Sequence, residues 1–103
     1  MKKMLKHANT VSALLHVLSN PTRLMILCLL INKELYAQEV LEILGSTKGN
    51  ISQHLKLLLL NKLIKKRKVA NRIYYSLYYL RIKKLISCLK SYIVKIVKIL
   101  KMR

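Results

Sequence analysis

The segment Ser46–Leu60 constrains the fold most, because it predicts a helix whose two sides differ in chemistry. Gly45 can end a preceding helix, and Thr47 can cap the new one by accepting a backbone N–H bond at its start. With about 100° of rotation per residue, the apolar residues on one side are Ile51, Leu55 and Leu58. The other side carries small, amide and basic residues, namely Gly49, Ser52, Gln53 and Lys56, and Asn50 and His54 lie between the two sides.

A polar side of this kind suits the major groove of DNA. Glutamine and asparagine can make two hydrogen bonds to one base edge, and lysine neutralises phosphate. The chain has 21 Lys and Arg against three acidic residues, a net charge of +18, and therefore attracts polyanions. Two alternatives stay open: an ordinary amphipathic helix that faces water, and a charge that partly reflects a lysine-rich composition without function.

The residues before this segment predict its structural partner. Leu35–Leu44 has helical periodicity and is followed by Gly45, which ends the helix. A helix, a three-residue turn and a second helix have the spacing of a helix-turn-helix, in which the second helix lies in a groove. Residues 35–60 are therefore predicted to form a helix-turn-helix.

Two further helices precede it. Residues 2–18 have helical periodicity, and Asn20 and Pro21 supply an N-cap and a proline at the first helical position of the next helix. Because Leu24–Ile31 is apolar all round, this second helix is predicted to be buried on most sides.

After residue 62 the periodicity changes to that of strands. Ile64–Val69 and Arg72–Leu77 are predicted as two short strands joined by a two-residue turn at Ala70 and Asn71. The cations near the tip are Lys65, Lys66, Arg67, Lys68 and Arg72. A basic hairpin after a recognition helix, here residues 64–77, is a wing that holds the sugar-phosphate backbone or probes the minor groove. The alternative is a solvated surface hairpin.

The C-terminal segment Arg81–Met102 returns to helical periodicity. Its apolar residues repeat in steps of four and three, the spacing of a heptad: Ile82, Ile86, Leu89, Ile93, Ile96 and Leu100. A small domain cannot bury both this stripe and that of the first helix, so residues 1–18 and 80–103 are predicted to form a dimer interface. The alternative is a lysine-rich amphipathic helix on a membrane surface.

Composition excludes several classes of protein. A chain of 103 residues is one domain, residues 1–103. It has no Asp, and its three Glu lie within residues 34–42, so general acid–base chemistry lacks its parts and an enzyme is not expected. The longest apolar run, residues 24–31, is far shorter than the roughly 20 residues that span a bilayer. We therefore expect a cytoplasmic, nucleoid-associated protein that does not bind membranes.

Three segments resemble the ArsR/SmtB family of winged-helix repressors: LSNPTRLMILCLL, ILGSTKGNISQHLKLL and IKKRKVANRIYYSL. The resemblance covers about residues 11–90. It implies a mainly α fold with a small β-hairpin, a winged helix-turn-helix that dimerises through its terminal helices. It also implies a homodimer that represses transcription by binding an inverted repeat of double-stranded DNA in a promoter. In such a protein the DNA is released when an inducer binds.

The resemblance also implies a set of DNA-binding residues. It assigns base reading to Thr47, Lys48, Asn50, Ser52, Gln53 and His54, and wing contacts to Lys68, Asn71 and Arg72. Periodicity and charge add Lys56 and Arg67. His54 either bonds a phosphate or only an internal carbonyl. The family commonly has glycine where this chain has Lys62 and Ala70, so we expect a distorted wing or a positive φ at Asn61 and Asn71 instead.

The family's metal-binding sets have no counterpart here. Residues 35–38 contain no cysteine, and residues 80–103 contain no Asp, Glu or His, so neither a metal nor another cofactor is expected. The setting of Cys28 resembles the sulfide- and persulfide-responsive branch, in which that cysteine pairs with one on the last helix. Cys88, however, lies between one and two turns too early, which turns its thiol to another face of the helix. The alternative is that Cys28 is a small buried hydrophobe.

The sequence therefore predicts a sequence-specific, DNA-binding transcriptional repressor in which Cys28 and Cys88 are candidates for redox sensing. The alternative function is a non-specific, nucleoid-type basic protein that binds nucleic acid by charge alone.

Overall fold

The structure, a computed structural model, describes residues 1–102 and, of Arg81, the backbone only. Arg103, the last residue of the predicted dimerisation segment, lies outside the described residues. The elements in chain order are α1 (Lys2–Leu18), α2 (Pro21–Leu29), β1 (Leu35–Tyr36), α3 (Ala37–Leu44), α4 (Lys48–Leu60), β2 (Ile64–Val69), β3 (Arg72–Leu77) and α5 (Leu80–Lys101). The mainly helical, winged helix-turn-helix architecture is thus confirmed.

Helix α2 begins as the sequence predicts and is buried on most of its sides. The Asn20 side chain accepts the Arg23 backbone N–H at 3.1 Å, and Pro21 occupies the first turn. Ile26 and Leu27 are fully buried, whereas Met25 is 52% exposed. Every other residue from 24 to 31 is buried or half-buried against the core, so burial on most sides is confirmed.

The predicted start of the third helix is wrong by two residues. Leu35 and Tyr36 form the short strand β1, which pairs antiparallel with Tyr75 and Tyr74 of β3. The Tyr36 N–H donates to Glu39 Oε1 at 3.1 Å, so α3 begins only at Ala37. The sheet therefore has three strands in the order β1-β3-β2, instead of the isolated hairpin that the sequence predicted.

One hydrophobic core joins all these elements. It contains residues from every helix and from the sheet: Val17, Leu18, Ile26, Leu27, Leu30, Leu35, Val40, Ile51, Leu55, Leu58, Leu63, Ile64, Leu77, Ile82 and Ile86. Gly45 ends α3 with a φ of +67°, a left-handed conformation that glycine adopts without steric cost. Because α3, α4 and the strands β2 and β3 share this core, the helix-turn-helix packs against the base of the sheet.

Positive φ angles occur at Lys62 (57°) and Ala70 (54°), not at the neighbouring asparagines, where Asn61 has a φ of −90°. The predicted shift to Asn61 and Asn71 is therefore wrong. Lys62 closes α4 in a Schellman motif, because its N–H donates to Leu59 O and the Leu63 N–H donates to Leu58 O, both at 3.1 Å. Ala70 and Asn71 form the predicted two-residue turn, since Val69 pairs with Arg72.

The terminal helices leave much apolar surface uncovered in the single chain. Ile82 and Ile86 are buried, but Ile93 is 56% and Leu100 is 60% exposed further along α5. In α1 only Val17 and Leu18 are buried. Among residues 1–102 no single helix is long and apolar enough to cross a membrane; α1 and α2 reach that length and composition only together, across an 86° bend.

Candidate nucleic-acid interface

Helix α4 presents the polar side that its periodicity predicted. Its apolar residues Ile51, Leu55 and Leu58 are at most 2% exposed. The residues predicted to read DNA from this helix are exposed: Lys48, Asn50, Ser52, Gln53 and Lys56, together with Gly49. Because the core holds one side, this row of amide, hydroxyl and ammonium groups points away from the protein.

The first turn of α4 is fixed by two local hydrogen bonds. The Thr47 hydroxyl accepts the Asn50 N–H at 3.2 Å, which satisfies one of the free donors at the helix start. The Asn50 side-chain amide donates to the Ser46 hydroxyl at 3.4 Å. Thr47 is therefore a cap as well as a predicted DNA contact, and Asn50 has a protein partner as well as an exposed side chain.

His54 lies at the edge of this face and is half-buried. Burial lowers the pKa of its imidazole, and the positive charge of Arg23 lowers the pKa further. At neutral pH the ring is therefore mainly uncharged, which favours a hydrogen bond over an ionic contact with phosphate. The sequence did not indicate that Arg23 acts on this site, because the two residues are far apart in the chain.

The strand register divides the wing side chains between two faces. Ile64, Lys66 and Lys68 of β2 face the same way and lie opposite Leu77, Tyr75 and Ile73 of β3. Since Ile64 and Leu77 belong to the core that includes α4, this is the inner face of the sheet. The outer face carries Lys65, Arg67 and Val69, opposite Ser76, Tyr74 and Arg72. All of β2 beyond Ile64 is exposed, as are Asn71 and Arg72.

Two of the predicted wing residues already have protein partners. Arg67 Nε and Nη2 donate to the two carboxylate oxygens of Glu34 at 2.7 and 2.9 Å. The guanidinium of Arg72 lies 4.4 Å from the ring centroid of Tyr36. Sequence reasoning missed Glu34 and Tyr36 because it placed no third strand at the other edge of β3.

The two cysteines differ in their surroundings. Cys28 is half-buried beside an apolar cavity of about 430 Å³ between α1, α2 and α5, whereas Cys88 is exposed. The residues of α5 that line this cavity are Ile86, Leu89, Lys90, Ile93 and Val94. Ile93 and Val94, which follow Cys88 by between one and two turns, thus line the same cavity as Cys28.

A metal centre has no candidate in the described part of the chain. Within residues 1–102 no three side chains of the types His, Cys, Asp and Glu come together.

Residues 20–66 match the family model described as bacterial regulatory protein, arsR family. The transcriptional activator HlyU of Vibrio cholerae is 33% identical over 89 residues, which are 86% of this chain and 82% of that protein. Its reduced structure superposes with a TM-score of 0.79 over 86% of this chain and 94% of that chain, at 32% identity.

The transcriptional repressor BigR from Xylella fastidiosa is 31% identical, with a TM-score of 0.76 over 87% of this chain and 89% of that chain. A homodimeric winged helix-turn-helix domain from Mycobacterium bovis has the same fold, with a TM-score of 0.84 over 92% of this chain and 88% of that chain, at 21% identity. From its own motifs and from these relatives, the chain belongs to the ArsR family of bacterial regulatory proteins.

Proposed function

We propose that this protein is a homodimeric transcriptional repressor that binds an inverted repeat in promoter DNA. The observation that carries the proposal is the exposed row on α4, in which Asn50, Gln53 and Lys56 project from a helix whose other side is locked in the core. The amides can make two hydrogen bonds to one base edge, which provides sequence specificity. The flanking lysines contact phosphate, which provides affinity.

The uncovered apolar residues of α1 and α5 support a dimer. A single chain leaves Leu5, Val11 and Leu15 of α1 and Ile93 and Leu100 of α5 more than half exposed. A twofold partner can cover this surface with its own copy of the same helices. Two copies of α4 would then enter successive major grooves about 34–36 Å apart, which corresponds to an inverted repeat.

One relative is named an activator and another a repressor. Both activities begin with occupation of a promoter by the protein. We assign repression here because a dimer seated over a promoter excludes the polymerase without needing a contact surface for it. The same occupation would place the protein in the nucleoid.

The experiment is a selection of binding sites from a random duplex pool, followed by affinity measurements on the selected and a scrambled duplex. We expect an inverted repeat. With roughly 6–10 phosphate contacts, the affinity should fall about 10³–10⁵-fold between about 50 and 200 mM salt.

Gln53→Ala should flatten the preference between the two duplexes, because it removes a base contact. Lys68→Ala, the matched control, should weaken both duplexes alike, because phosphate is the same in every sequence. An unchanged preference in the Gln53 variant would show that α4 reads DNA with other residues.

The same assay tests the second candidate, a non-specific basic protein. The charge of +18 favours it, since charge alone binds any duplex. If the selected pool shows no common sequence and the scrambled duplex competes equally well, the protein coats DNA and does not read it.

Redox sensing by Cys28 and Cys88 stays a prediction. The different surroundings of the two thiols favour modification of one thiol over a disulfide between them. Repeating the selection with and without an oxidised sulfur species would test whether any thiol chemistry releases DNA.

A further inference from the structure

We infer that Glu34 and Arg67 are positioning residues that hold the wing at a fixed angle, and that the phosphate contacts of the wing come from its opposite face, from Lys66 and Lys68. This inference rests on the proposed DNA-binding function. It also reassigns Arg67, which its charge alone predicted to be a DNA contact.

The Glu34–Arg67 pair has the geometry of a structural contact. Both carboxylate oxygens accept, one from Nε at 2.7 Å and the other from Nη2 at 2.9 Å, which is the parallel two-bond arrangement that fixes orientation as well as distance. This is the only ion pair among the side chains that the structure describes, although the chain has 21 Lys and Arg. The hydrogen bond from Arg67 also lowers the pKa of the Glu34 carboxyl, so the carboxylate stays charged at neutral pH.

The pair continues into a cluster that spans all three strands. The Arg67 guanidinium lies 5.6 Å from the ring centroid of Tyr74, within range of a cation–π contact. Tyr74 meets Tyr36 edge to face, with centroids 5.7 Å apart and an interplanar angle of 80°. The guanidinium of Arg72 lies over the Tyr36 ring, 4.4 Å from its centroid. These contacts thus connect β2 and β3 to β1 and to the start of α3. In order along the cluster, the residues are Glu34, Arg67, Tyr74, Tyr36 and Arg72.

The inner face of the wing has no such partners. Lys66 and Lys68 lie opposite Tyr75 and Ile73, and neither lysine has an acidic partner in the described part of the chain. They continue the row that Ile64 begins, and Ile64 packs in the same core as the buried side of α4. The lysines therefore extend from the side of the sheet on which the recognition helix lies, with their ammonium groups free for phosphate.

The wing needs an external support because a two-stranded ribbon is marginally stable by itself. Beyond Ile64 its β2 residues are exposed, and the turn is closed by Ala70 in a left-handed conformation. A hairpin that pivoted about its base would move Lys66 and Lys68 relative to α4. The outer cluster prevents this movement, so the two sets of DNA contacts keep a constant spacing.

Glu34→Gln is a test in which attraction by charge and support of the wing predict opposite changes in DNA affinity. The change removes one negative charge from each protomer, so attraction to DNA alone predicts tighter binding. Loss of the support predicts weaker binding, by about two- to fivefold if the pair contributes as exposed pairs usually do. The measurement is the dissociation constant of the full chain for the duplex selected from the random pool and for a scrambled duplex of equal length, at several salt concentrations.

The slope of affinity against salt separates support from phosphate contact. Each lost phosphate contact reduces this slope by about 0.9. We expect Arg67→Gln to weaken binding with an unchanged slope, and Lys68→Gln to reduce the slope by about 0.9 per protomer. The swapped variant Glu34→Arg with Arg67→Glu should restore the affinity, because it rebuilds the pair with the net charge of the wild type. Circular dichroism and the melting temperature establish that each variant is folded.

Tighter binding and a steeper slope in Glu34→Gln would overturn the inference, since Arg67 would then be a phosphate ligand restrained by Glu34. Unchanged affinity in both single variants, or an unchanged slope in Lys68→Gln, would overturn it as well, as would a folded swap that stays weak. If the swap does not fold, the single variants still decide. Failure of the proposed function looks different, because the wild type itself would then not bind DNA or would not distinguish the two duplexes.

Discussion

Replacing Lys62 and Ala70 by glycine should stabilise this protein, although neither change adds a contact. Both residues have φ angles near +55°, at 57° and 54°. In that conformation the Cβ atom approaches the following carbonyl, at a cost of about 1–2 kcal/mol for residues other than glycine. Lys62 is at the position after the end of α4 where glycine is usual, and Ala70 is the first residue of the two-residue wing turn.

The expected gain in the free energy of unfolding is smaller than the backbone strain that each glycine removes. Glycine makes the unfolded chain more flexible, which offsets about 0.4–1 kcal/mol of the relief. A net gain of about 0.5–1 kcal/mol for each site corresponds to an increase in melting temperature of about 2–8 °C for a domain near 100 residues. The two sites lie at opposite ends of β2, about 25 Å apart along an extended strand, so their effects should add.

Thermal unfolding followed by circular dichroism at a fixed protein concentration measures this gain. Asn71→Gly is the matched control, since Asn71 is in the same turn but is not among the residues with positive φ. It should leave the melting temperature unchanged or lower it, because it only adds flexibility. If the double variant Lys62→Gly with Ala70→Gly melts at or below the wild-type temperature, the assignment of strain to these two backbone positions is wrong.

Two further predictions concern α4. Thr47→Ala removes the acceptor of the Asn50 N–H and should lower the free energy of unfolding by about 1 kcal/mol. Thr47→Ser keeps the hydroxyl and should have a melting temperature close to that of the wild type. Equal melting temperatures of the two variants would contradict the capping role. Because the pKa of His54 is lower in the folded protein than its ordinary value of 6.5, the unfolded chain binds more protons below that pH. The free energy of unfolding should therefore decrease as the pH falls below about 6.5, and His54→Gln should remove part of this decrease; an identical pH profile in that variant would contradict it.

The parts of the fold that sequence predicted best are those in which neighbouring residues decide the outcome. The two sides of α4 follow from a rotation of about 100° per residue, and the structure buries Ile51, Leu55 and Leu58 as that rotation requires. The start of α2 at Asn20 and Pro21 is equally local, because a cap and a proline act within one turn. The candidate reading face was predictable for the same reason.

The missed features depend on residues far apart in the chain. Leu35 and Tyr36 fit a helical period, and they become a strand only because β3 offers them an edge about 40 residues later. The Glu34–Arg67 pair spans 33 residues and follows from that strand, so without β1 no pattern in the sequence could have indicated it. Propensity also failed at Lys62, where the hydrogen bonds that turn the chain toward buried Leu63 fix the conformation.

The positions of the three acidic residues connect these observations. In a chain of charge +18, carboxylates oppose attraction to DNA, yet all three lie within residues 34–42, around β1 and α3. Glu34 binds Arg67 and thereby holds the wing, and Glu39 accepts the Tyr36 N–H and thereby sets where α3 begins. Glu42 accepts a hydrogen bond from Gln38 one turn earlier, at 3.4 Å. The negative charge is thus concentrated where it orders the junction between the helix-turn-helix and the wing, and the described surfaces of α4 and β2 carry none.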